Sequence, residues 1–321
     1  MARLPNLPKL LKTKIYKTGQ TRGADDDEVF QNRVARYSTV LIPLGQWEGC
    51  TIPDDGSAAY ENGYIVLVEP AWYFGTVNPD NELAQRGLTL GQNALVFYET
   101  RDQWEANDPT LRGWEVATRR RPPLGGSYIA RISGTTAEGR EKVLAGFTTT
   151  SSKGAGIRVY EYASTANVNA CRTQLEALFW LCKNAIDTAV ASGMTARDAK
   201  LRRDAVLDAA RIGKLLDLAR LADLRVVDAQ GVTTCPLCLE EMSATALLTR
   251  ITQAAGRATL DQAVTEASLF HLQELRVGKS NHKPHNLGWG HHHCNVVVKD
   301  SGITETLEWM HKVLRRNKIV D

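Results

Sequence analysis

Two short motifs far apart in the chain constrain it more than any other feature: Cys235-Pro-Leu-Cys238 and His291-His-His-Cys294. The first pair has no evident partner except the second. Together they make four soft or borderline ligands, the set that tetrahedral Zn²⁺ takes in closed structural sites. One shared ion would tie Cys235 and Cys238 to His291 and Cys294. A C-x-x-C pair alone also occurs as a redox dithiol. The histidines crowded beside the second pair favour a metal. All seven histidines of the chain lie between His271 and His311, and the first 270 residues contain none. His292 and His293 remain alternatives to His291 as the imidazole ligand, or phosphate contacts.

Between the two pairs, Leu269-Phe270-His271-Leu272 reads as the end of a strand. A polar, turn-rich loop over 278–284 follows. Asn286-Leu287-Gly-Trp289 resumes a short strand, and Cys294-Asn295-Val-Val-Val opens a helix or a further strand. His271, Asn286 and Asn295 stand fifteen and nine residues apart.

This layout resembles the HNH nucleases, ββα-metal enzymes built on a zinc-bound treble clef. The resemblance implies a role for each of the three residues. His271 would be the general base taking a proton from the attacking water, a task suited to a side chain that titrates near neutrality. Asn286 would orient the imidazole, and Asn295 would help bind a single catalytic Mg²⁺ against the scissile phosphate. The family often places Asp before the catalytic His as a metal ligand, where this chain has Phe270. Glu274, His285 and His292 are the candidates to replace it. His282 and His285 read as loop residues touching DNA, and His311 as incidental. Taken with the opening stretch Lys14-Ile-Tyr-Lys-Thr-Gly-Gln-Thr-Arg-Gly-Ala-Asp-Asp-Asp, the C-terminal module resembles the BstXI group of HNH-type restriction endonucleases. That likeness implies double-stranded DNA as partner and an interrupted palindrome as target. A homodimer would cut it with one active site per strand.

Composition bounds the rest. A chain of 321 residues, 43% hydrophobic and 23% charged, describes an ordinary globular protein of two or more domains. No run approaches the ~18 apolar residues of a membrane helix, and the N-terminus lacks a signal-peptide pattern, so a cytoplasmic protein is expected. Of six cysteines, three belong to the ligand pairs and Cys50, Cys171 and Cys182 are scattered, which fits reduced thiols there. No Walker A pattern and no G-x-G-x-x-G after a strand occurs, which removes support for a nucleotide cofactor. The net charge of +3 is small, but Arg119 to Arg121, Lys200 to Arg203 and Arg315 to Lys318 are basic clusters compatible with phosphate contacts. A metal role for Asp25, Asp26 and Asp27 is a minor alternative to a solvated loop.

The expected fold is α+β in three parts. Residues 1–165 form a β-rich DNA-recognition domain, in which six short strands are joined by long loops. Residues 166–225 form a helical connecting or dimerisation region, with one amphipathic helix around 173–187 and a second from a cap at Thr195 through to Leu224. Residues 226–321 form the zinc-bound HNH nuclease domain, with short helices inserted over 243–255 and 260–267 and a last helix starting at Ser301 or Thr304. Two competing functions stay open: a non-catalytic zinc-stabilised DNA-binding regulator, and a modification-dependent nuclease holding a flipped methylated base against Trp72, Tyr73 and Phe74.

Overall fold

The computed structural model describes residues 4–16, 38–131, 144–145, 156–252, 260–299 and 301–320. The three aspartates at 25–27, and most of the opening stretch likened to the BstXI group, lie outside them. The chain divides into two compact units. One comprises Met1–Thr18, Thr165–Leu275 and Asn281–Asp321; the other comprises Gly19–Ser164 and Arg276–Ser280.

A short helix, α1 (Lys9–Ile15), opens the chain and buries Leu11 and Ile15 in the core of the first unit. The second unit is built on a six-stranded sheet of β1 (Val40–Pro43), β2 (Tyr64–Val68), β3 (Ala94–Tyr98), β4 (Tyr128–Arg131), β5 (Leu144–Ala145) and β6 (Ile157–Arg158). Its order is β5-β4-β3-β2-β1-β6. All neighbours are parallel except β4 and β5. Helices α2 (Pro70–Gly75), α3 (Pro79–Gln85) and α4 (Arg101–Ala106) lie in the connections. This unit is therefore mixed α/β and not the β-rich domain expected from the sequence. Val-Leu-Ile, Ile-Val-Leu-Val and Ala-Leu-Val-Phe-Tyr are unbroken apolar runs, the signature of strands covered on both faces. Parallel neighbours need long crossovers, which is what the long "loops" are. Alternate residues feed two separate cores: Val40, Ile42, Val66, Val68 and Val96 on one face, and Leu41, Ile65, Leu67, Leu95 and Phe97 on the other. Next to β1, a Cβ at Gly156 would overlap the Thr39 carbonyl. Of the expected strand from Gly113 only a bridge at Val116 forms, and the one from Gly156 ends after two residues in a 3₁₀ turn.

The first unit is helical around one core. Helices α5 (Thr165–Trp180), α6 (Ala185–Ala191), α7 (Ala196–Ile212) and α8 (Leu218–Asp223) lead to a 3₁₀ turn at Ala244–Leu247. Leu175, Leu178, Phe179 and Cys182 are buried as the sequence rhythm predicts, but the helix breaks before Asn184, which takes a left-handed φ of 59°. The Thr195 hydroxyl accepts from the Asp198 N–H at 3.0 Å and caps α7 as expected. The second helix stops at Ile212 instead of running to Leu224, and Leu201 and Ile212 are exposed. Glu176 of α5 and Arg202 of α7 form a buried bidentate pair, at 2.6 and 3.0 Å. The Arg202 guanidinium also donates to the Tyr16 hydroxyl, and the Trp180 indole N–H donates to Glu176.

The inserts expected as helices over 243–255 and 260–267 are instead the 3₁₀ turn and an antiparallel pair, β7 (Arg250–Thr252) with β8 (Leu260–Thr265). Strand β9 (Ala267–His271) and strand β10 (Leu287–His291) then form a hairpin, followed by α9 (His292–Val298) and the final amphipathic helix α10 (Ile303–Arg316).

Candidate metal centre and histidine pair

The first ligand pair sits in a tight turn. The Cys235 N–H donates to the Glu240 carbonyl at 2.9 Å, and the Leu239 N–H donates to the Cys235 carbonyl at 2.8 Å. Leu239 takes a left-handed φ of 63°. The Arg225 guanidinium donates to the carbonyls of Pro236 and Leu237, at 2.9 and 3.3 Å, and so anchors the outside of the turn. The second pair comes from the end of β10 and the first turn of α9. The ligand atoms of Cys235, Cys238, His291 and Cys294 all lie within 4.8 Å of one another, and His291 Nδ1 is 3.3 Å from Cys238 Sγ. Zn–S bonds of ~2.3 Å would give a tetrahedron with edges of about 3.8 Å, so four such atoms need little movement to close on an ion.

The donor chemistry fits as well. Burial, and then the neighbouring cysteines, push the Cys294 thiol up; burial likewise leads the upward shift at Cys238. Several thiolates in this space need a cation. The His291 imidazole is held below its ordinary value by burial and then by His293, which keeps it in the neutral form that ligates. His291, rather than His292 or His293, is the histidine whose ring nitrogen converges with the three cysteine sulfurs; His293 is exposed and stacks on it. This Cys₃His cluster could hold Zn²⁺.

The hairpin that carries the second pair is shaped by two glycines. In the register of β9 with β10, His271 lies opposite Leu287 and Phe270 opposite Gly288. A Cβ at Gly290 would come within 2.5 Å of the Phe270 ring, and one at Gly288 within 2.8 Å of Val226. Between them, Trp289 donates its indole N–H to the Leu175 carbonyl of α5 at 2.9 Å. Phe270 is fully buried. It fills the core where the resembled family often carries a metal-binding Asp.

His271 is half-buried at the end of β9. Its Nε2 is 3.2 Å from Nδ1 of His282, and His282 has no exposed surface. A DNA-touching loop role for His282, the sequence reading, does not fit that burial. Asn286 is buried and engaged with backbone: its Oδ1 accepts from the Gln273 N–H at 2.8 Å, and its Nδ2 donates to the carbonyls of Asn281, at 2.6 Å, and Gln273, at 3.4 Å. The amide therefore holds the two ends of the loop together and is not directed to the imidazole. Asn281 in turn donates to the Glu274 carbonyl. Asn295 ties α9 to β9 through Nδ2, which donates to Ser268 Oγ at 3.3 Å and the Leu269 carbonyl at 3.2 Å.

The structure thus gathers His271, Asn286 and Asn295 on one hairpin and helix, and adds His282 and Asn281, which the sequence reading did not place in the site. Among the described residues no second group of three or more His, Cys, Asp or Glu ligand atoms converges, so Glu274, His285 and His292 do not assemble a further cluster of that kind. His285 takes a left-handed φ of 65°, and its N–H donates to the Gln174 side chain of α5 at 2.8 Å. Burial, then Arg220, lowers its ring's affinity for a proton. His311 is exposed on α10. In the other unit, Tyr73 is buried with its hydroxyl on Asp80 at 2.9 Å, Phe74 stacks on Trp114 under Arg112, and Trp72 faces Arg86. Packing already occupies the aromatic rings proposed as a base cage.

Among the described residues no helix is long and apolar enough to cross a membrane. No curated protein and no solved structure matches the chain. A family model described as BstXI restriction endonuclease matches residues 13–292, which takes in Cys235, Cys238, His271, Asn286 and His291. A match over that much of the sequence assigns this DNA-cleaving chain to its family: the protein belongs to the BstXI restriction endonucleases.

Proposed function

We propose that the protein is a type II enzyme that hydrolyses phosphodiester bonds of duplex DNA by a one-metal HNH mechanism, with His271 as general base. The observation that carries this reading is the half-exposed His271 at the end of a hairpin closed by the Cys₃His cluster. A structural Zn²⁺ on Cys235, Cys238, His291 and Cys294 would lock β10 and α9 to the Cys235 turn and so set the position of β9 alongside.

In the reaction His271 removes a proton from water through Nδ1 while Nε2 faces His282. The water oxygen attacks phosphorus, the bond to the 3′ oxygen breaks, and the proton held on the imidazole passes to solvent. Mg²⁺, when bound, would lower the charge on the phosphate and on the departing oxygen. Asn295 is the residue proposed to hold it: its Nδ2 is used on β9, while its Oδ1 takes no partner among the described residues. Asn286 acts by fixing the loop that carries His282. Residues 1–165 are proposed to read the DNA sequence, 166–225 to connect and dimerise, and 226–321 to cut, as a homodimer on a palindromic site.

Incubation of the purified protein with long unmethylated DNA and Mg²⁺, beside His271→Ala, tests the proposal. Discrete fragments from the wild type and a loss of about 10²–10⁴-fold in the variant are expected. Equal cutting by both proteins would remove His271 as the base. A shifted but uncut DNA would indicate a binding protein instead.

A further inference from the structure

We propose that His282 is the positioning residue for His271, selecting its reactive tautomer and stabilising its protonated form. The inference rests on reading His271 as the general base. The loop between β9 and β10 is closed at both ends by side-chain amides: Asn286 binds the Asn281 carbonyl at 2.6 Å, and Asn281 binds the Glu274 carbonyl. The next residue, His282, is thereby held with its ring wholly inside, Nδ1 3.2 Å from Nε2 of His271 and the two rings tilted by 53°.

The chemistry allows one arrangement of the shared hydrogen once catalysis begins. A base that has taken a proton on Nδ1 carries hydrogens on both nitrogens, so Nε2 of His271 can only donate. His282 Nδ1 must then accept. The same arrangement before the reaction leaves Nδ1 of His271 as a lone pair, and no proton has to be reshuffled. Outer partners of this kind fix which ring nitrogen works, and a carbonyl or carboxylate usually serves. An imidazole supplies an acceptor there without placing a formal charge in the interior, where an unpaired one is costly. The hydrogen bond strengthens when its donor becomes charged, so the interaction favours protonated His271 as well as orienting it.

The test uses the full-length, zinc-loaded protein labelled with ¹⁵N at histidine. Long-range proton–nitrogen correlation, assigned by comparison with His271→Ala, should show His271 protonated at Nε2 and bare at Nδ1. A His271 protonated at Nδ1 overturns the proposal. Two substitutions then probe function. His282→Asn puts a carboxamide oxygen near the place of Nδ1, whereas His282→Leu fills the space and accepts nothing. With Mg²⁺ and DNA, His282→Leu should lower kcat by about ten- to a hundredfold at unchanged KM, and His282→Asn should recover most of the loss. Wild-type kcat in His282→Leu, or no better activity in His282→Asn, overturns it. The tautomer is read without substrate. A protein that cuts no DNA yet shows the Nε2 proton loses the nuclease reading and keeps the pairing; cutting that needs His271 but not His282 does the reverse.

Discussion

Phe270 and His271 are neighbours on β9 with opposite fates, because successive strand residues face opposite sides. Phe270 packs on Gly290 in the core, and His271 turns to the half-exposed side. Restoring the acidic residue of the resembled pattern would therefore not restore a ligand. Phe270→Asp is expected to lose about 3–5 kcal/mol, through the lost ring and an unpaired buried carboxylate, and to leave Mg²⁺ affinity no stronger. Urea unfolding and a metal titration check both halves. At this scale the spacing singled out His271, Asn286 and Asn295 as candidates, and the fold sets them on one hairpin and the helix after it. His282 was not, because a polar histidine in a polar loop carries no sign of burial until the hairpin closes over it. Nor does spacing reveal that Asn286 binds loop backbone.

The elements differ in how much of their structure is local. Thr195 caps α7 with its own side chain three residues ahead, a contact written in the sequence. Strand β8, Leu-Asp-Gln-Ala-Val-Thr, has a mixed composition that suits a helix, and it became a strand by pairing with β7. The apolar runs of β1 to β3 announce strands covered on both faces, but only their pairing showed them to be parallel. The joint between α5 and α7 was invisible in the same way: Glu176 and Arg202 look like surface charges and form a buried pair, with side chains 2% and 8% exposed. Glu176→Ala leaves the guanidinium unpaired and should cost about 3–5 kcal/mol. Adding Arg202→Leu should recover part of that cost, measured as urea midpoints for the single and double variants.

For the whole molecule, the Cys₃His cluster and the core of the first unit are one structure, since Cys235 and Cys294 are themselves core residues. Stripping the metal with a chelator should lower the melting of that unit and abolish DNA cutting, while the sheet of the second unit, with its own two cores, keeps its transition. Calorimetry with and without added Zn²⁺ reads this directly. The pH dependence should change sign with loading. In the metal-free protein the Cys238 and Cys294 thiols sit above their unfolded values, chiefly through burial. Their contribution is complete below the unfolded thiol value of about 8.5, and is lost as pH rises past it toward the folded values. In the loaded protein the ligands are already deprotonated, so stability falls instead as acid competes for them and releases the ion. Unfolding curves across pH, with and without Zn²⁺, distinguish the two.

The sequence by itself determined what depends on residue type and short spacing: two ligand pairs, a histidine-rich C-terminal segment, a hairpin with glycines, and a likeness to nucleases that the family assignment supports at the level of restriction endonuclease. Tertiary structure alone decided which histidine joined the cysteines, which one was sealed beside His271, and whether the N-terminal strands ran parallel. Each of those outcomes rests on contacts between residues distant in the chain. Their energy comes from burial and pairing that exist only once the chain has closed.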